Sequence, residues 1–125
     1  MAMKSTKSVK MIWEFAPDLQ RRVKTIVSAL ELVYIKPKRV VVFRSYGSKS
    51  RAYARIWSLP RIWQQALKVE PHYCLEVLSE RFDRLDEEKQ KRILLHELGH
   101  IPKNFSGSLL HHGVMRRLND DHSSR

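Results

Sequence analysis

A chain of 125 residues that is 42% hydrophobic and 30% charged has enough apolar material for one small core and is too apolar for a disordered polyelectrolyte. Its single cysteine, Cys74, excludes an intramolecular disulfide and fits a reducing, cytoplasmic setting, and no apolar run is long enough to span a membrane. The formal charge of +11 favours acidic partners, nucleic acid among them, yet no zinc-knuckle spacing or aromatic RNA-binding stretch accompanies it.

Residues 1–11 are polar and basic, without an apolar signal-peptide core, and are expected to fray. A helix over 17–33 follows. Pro17 opens it, Asp18 sits in its first turn, and Leu19, Val23, Ile26, Val27, Leu30 and Val33 recur at helical spacing. The β-branched run Arg39–Ser45 reads as a strand. Arg51–Leu59 alternates, with "YGSKS" between the two runs, and this predicts a hairpin. Pro60–Leu67 is compatible with a short helix or a third strand. His72–Glu80 alternates and predicts a strand at a sheet edge, with His72 and Cys74 in structural roles. In "LDEEKQKRILLHELGHI", Asp86 is the expected N-cap, Glu87 and Glu88 fill the first turn, and Pro102 provides the stop. Together these elements predict a single α+β domain spanning 1–125. A small, mostly antiparallel sheet packs on an N-terminal helix and a second helix, and a C-terminal tail follows.

Four of the six histidines, His96, His100, His111 and His112, fall between Lys91 and His112. His96 and His100 stand one helical turn apart on one face, so both imidazoles can reach one zinc ion at about 2.0–2.1 Å. Glu97 lies about 100° round the helix from His96, placed to address water on that metal rather than the metal itself. This is the logic of HExxH, in which two ligands and one base share a rigid turn. Gly99 is expected inside the helix, at a cost of about 1 kcal/mol relative to Ala, where it would allow close approach to the metal.

A catalytic zinc takes three protein ligands. No glutamate follows His100, and position 106 is Ser, so neither a downstream Glu nor the HExxHxxGxxH pattern supplies the third. His111, His112, Asp120, Asp121 and His122 remain. A helix capped by Ser106 and starting near Gly107 would place Leu110, Val114 and Leu118 on its apolar face, with His111 nearer to that face than His112.

The segments "APDLQ", "RSYGSKSRAYARIWSLPRIWQQAL" and "HELGHIPKNFSG", with a late histidine, resemble the minigluzincins, minimal zinc metallopeptidases akin to the phage-type metallopeptidases. The resemblance covers nearly the whole chain and is most specific over "HELGHIP..FSG.L..H". It implies a zincin-like fold, Zn2+ held by His96 and His100, Glu97 as general base and acid, and histidine as third ligand. The motif spacing matches His112, with His111 as the alternative. It also implies a zymogen in which the tail 113–125 blocks the cleft, and Asp120, Asp121 and His122 are the tail residues able to cap a zinc. The expected function is a soluble zinc endopeptidase acting on protein or peptide. A nucleic-acid-associated protease and a non-catalytic zinc-binding interaction module are the alternatives.

Overall fold

The computed structural model describes residues 10–112. Four strands and four helices follow in chain order, namely β1 (Ile12–Phe15), α1 (Pro17–Ala29), β2 (Val40–Tyr46), β3 (Ala54–Ser58), α2 (Arg61–Leu67), β4 (Tyr73–Leu78), α3 (Ser79–Phe82) and α4 (Glu87–Leu98). The strands form one mixed sheet in the order β1-β2-β4-β3. β1 runs antiparallel to β2, β2 parallel to β4, and β4 antiparallel to β3. The result is the expected α+β domain, consistent with a compact zincin-like arrangement.

The core lies on one sheet face. Val40 and Val42 of β2, Tyr73, Leu75 and Val77 of β4, and Ala54 of β3 meet Leu19, Val23, Ile26 and Val27 of α1 and Leu94 and Leu98 of α4 there. Burial of those apolar side chains, at about 25 cal/mol per Å² removed from water, is what holds both helices on the sheet.

Helix α1 is shorter than its periodicity predicts. Glu31 adopts a left-handed φ of 55°, and Leu32 N–H bonds to Val27 O at 2.9 Å while Glu31 N–H bonds to Ser28 O at 3.1 Å. That paired cap turns the chain so that Leu32 and Ile35 enter the core and Val33 is left exposed.

The expected hairpin does not form. β2 and β3 each pair with β4, which lies between them as a central strand rather than at an edge. The reason is burial. Five of the six β4 residues are buried, Glu76 among them, so β4 needs neighbours on both sides, whereas β3 is only partly covered. Pro60–Leu67 resolves as helix α2 capped by a left-handed Lys68. β1, four exposed residues long, has no sequence signature and is held by its pairing with β2.

Candidate metal centre

Helix α4 is fixed at its start. The Asp86 carboxylate accepts a hydrogen bond from Lys89 N–H at 2.8 Å, as the sequence predicts for an N-cap. Gln90 donates to the carbonyls of Phe82 and Leu85, both at 3.1 Å, and accepts from Arg22 of α1 at 2.6 Å. Downstream, Leu94, Leu98 and Ile101 are almost wholly buried, which sets the rotation of the helix and presents His96 and His100 on its other side.

The α-helix ends at Leu98, with Gly99 as its cap rather than an interior residue. Winding continues in a tighter turn. His100 N–H bonds to Glu97 O at 3.1 Å and Ile101 N–H to Leu98 O at 3.0 Å, and this keeps His100 one turn above His96.

Beyond Pro102 the chain forms no helix over 106–111, so the expected apolar face with His111 beside it does not form there. The segment is shaped by particular contacts instead. Phe105 packs edge-to-face on Tyr73, with ring centres 5.0 Å apart. Gly107 takes a φ of 97°, and a Cβ there would collide with the Gln64 side-chain amide and lie 3.3 Å from Leu59 O. Its N–H donates to the Tyr73 hydroxyl at 2.8 Å, and that hydroxyl donates to Ser108 O at 2.9 Å. Leu110 then clamps onto His100, with Leu110 N–H bonding to His100 O at 2.7 Å and His100 Nδ1–H donating to Leu110 O at 2.7 Å. A carbonyl can only accept, so Nδ1 carries the proton and Nε2 of His100 keeps its lone pair for a ligand.

This path brings His112 to the two helical histidines. One ring nitrogen from each of His96, His100 and His112 lies within 4.8 Å of the others. The ring centres of His112 stand 5.5 Å from His96 and 4.9 Å from His100. His111 is exposed and outside this group. Asp120, Asp121 and His122 lie outside the described residues, as do Val114 and Leu118.

Burial lowers the His96 pKa, and His100 and His112 lower it further by repulsion, so the neutral, metal-binding form of His96 is favoured. Glu97 is buried, and loss of solvation pushes its carboxyl up to about 7. A carboxyl poised there can take and return a proton near neutrality. Tyr73 and the Leu110 carbonyl escaped sequence reasoning. Tyr73 looked like one more alternating strand residue, and a backbone carbonyl leaves no mark in a sequence. Gly107, flanked by serines, was the available signal for a constrained turn.

A family model described as "Putative phage metallopeptidase" matches residues 11–121. No curated protein matches. No solved structure matches.

Proposed function

Since the chain belongs to this phage metallopeptidase family, which implies a bound metal ion and protein or peptide substrates, we propose that it is a zinc endopeptidase of the minigluzincin type with its centre at His96, His100 and His112. The convergence of three imidazoles, one of them with its tautomer fixed by Leu110, is the observation that carries this reading. Imidazole nitrogens suit zinc, and a set of three without a carboxylate leaves a position open, as a catalytic site requires. A zinc ion bound there supplies Lewis-acid polarisation of a carbonyl and acidifies water.

The chain's own residues do the rest. Glu97 removes a proton from the attacking water and delivers it to the amine that leaves. Leu94 and Leu98 exclude solvent beneath the site, and the Leu110 clamp holds His100 in orientation. An extended substrate would add as a strand to the sheet, and β3 is the suited edge, because β3 pairs on one side only and lies beside α4. Latency is part of the proposal. It rests on the resemblance to the minigluzincins, and truncation after Arg116 is expected to raise activity.

Zinc titration of single-histidine variants tests the ligand set. His112→Ala should weaken zinc binding by about 100-fold or more, beyond the effect typical of a supporting residue, whereas His111→Ala should leave it unchanged. Equal losses in the two variants would remove His112 from the centre.

A second reading, recruitment to nucleic acid, is favoured by a groove of about 670 Å³ whose lining includes Arg21, Lys24, Lys36, Lys38 and Arg39. DNA binding that falls steeply with salt would support it, and salt-independent binding would not.

A further inference from the structure

The sheet face opposite the helices carries a cleft built from residues outside the histidine group. Cross-strand pairing sets Trp13 opposite Ser45, Phe15 opposite Phe43, Phe43 beside Glu76, and Arg55 opposite Glu76. A cleft of about 310 Å³ opens on this face, lined by Trp13, Phe43, Trp57, Cys74 and Glu76. None of these residues belongs to the histidine group.

Glu76 is the unusual member. Its side chain is 1% exposed, on a central strand where an apolar residue would be expected. One carboxylate oxygen, Oε1, accepts from Arg55 Nε at 3.1 Å and from Trp57 Nε1 at 2.8 Å. The other, Oε2, has no hydrogen-bond partner among the described residues. Burial raises the pKa of this carboxyl, but the nearby Ser45 hydroxyl, which bonds to Val77 O, and the hydrogen bonds from Arg55 and Trp57 outweigh that and hold it below its ordinary value. It is therefore an ionised acceptor with an unused oxygen, and such an atom is costly to leave unpaired in a dry setting.

We propose that this cleft binds the ammonium group of a lysine side chain presented by another polypeptide, with Glu76 as counter-ion and Trp13, Phe43 and Trp57 as walls. Charge complementarity and shape select that occupant. A cation held against aromatic faces is attracted by their quadrupoles, and the aliphatic stem of lysine fits between rings. A single free oxygen suits a compact ammonium better than a guanidinium, whose fork favours two acceptors. Arg55 already engages Oε1, and its guanidinium stacks on Trp57 with 5.5 Å to the ring centre, leaving the Oε2 side for the ligand. Exposed aromatic surface continues past the cleft to Phe15, which is 73% exposed and stacks on Phe43 at 4.9 Å, so a peptide backbone has a surface to follow. Entry requires Trp13 or Trp57, each about half exposed, to swing aside, a fast motion for such side chains.

The test is a titration of the full chain with Nα-acetyl-lysine N-methylamide, following the indole N–H signals of its three tryptophans by NMR. The signals of Trp13 and Trp57 should move saturably while that of Trp63, outside the cleft, stays fixed. The norleucine analogue, which has the stem without the ammonium, should bind about tenfold more weakly or worse, and Glu76→Gln should cost the lysine probe a similar factor. Should Glu76→Gln fail to fold, Trp13→Leu removes one wall and leaves the Glu76 contacts with Arg55 and Trp57 in place, and it should weaken the probe several-fold. The proposal is overturned by equal binding of the norleucine analogue, by a folded Glu76→Gln or Trp13→Leu chain that binds lysine as before, or by the absence of any saturable shift.

Discussion

At the scale of residues, Glu97 carries two opposing demands. The burial that would suit it to the proposed proton transfer also makes its charge expensive in the folded chain, where its pKa rises from 4.5 to about 7. The unfolded chain releases this proton near 4.5, so the metal-free fold binds more protons between those values, and its stability falls as pH rises through that window. Glu97→Gln lacks the titration. Metal-free Glu97→Gln should thus match the parent near pH 4.5 and exceed its stability at pH 8 by up to about 3 kcal/mol, as read by denaturant unfolding. A parent chain as stable as the variant at pH 8 would contradict that burial cost. His96, Glu97 and His100 were legible in the sequence because a helix converts spacing into geometry. The choice between His111 and His112 was not legible from helical spacing, and only the motif spacing shared with the minigluzincins pointed to His112, because 106–111 follows no helical period and is bent by its contacts with Tyr73, Gln64 and His100.

Elements were legible in proportion to how locally they are determined. Helix α4 announced itself through Asp86 and its acidic first turn, and α1 through its apolar stripe, since caps and periodicity act over a few residues. Strand order was not legible. The parallel pairing of β2 with β4 joins residues separated by β3 and α2, and only the burial of β4 on both faces distinguishes a central strand from an edge. Leu94, wholly buried between α4 and the sheet, should cost about 2–5 kcal/mol when changed to Ala. A loss near zero in thermal or denaturant unfolding would mean that the helix does not pack as described. The segment after α4 acts through geometry instead. Gly107→Ala forces a Cβ into the Gln64 amide at a left-handed φ, so it should weaken zinc binding about tenfold or more by displacing His112, with a smaller effect on the rest of the fold. Unchanged zinc affinity in that variant would detach Gly107 from the site.

At the scale of the molecule, one sheet serves two faces. The inner face holds the core that orients α4, and the outer face holds an aromatic cleft over a buried carboxylate. Among the described residues no helix is long and apolar enough to cross a membrane. The charge of +11 is compatible with both proposed kinds of partner, a peptide strand along β3 and an acidic polymer along the basic groove, and selects neither alone. What the whole account stands on is the union of a histidine-held zinc with Glu97. Hydrolysis of an unstructured protein by the zinc-loaded chain truncated after Arg116, measured beside Glu97→Gln at matched zinc content, tests that union most directly. The account predicts cleavage that a chelator abolishes and that Glu97→Gln reduces by about 100-fold or more without loss of zinc. Cleavage that persists without zinc, cleavage undiminished in Glu97→Gln, or zinc bound with no cleavage at all would contradict it.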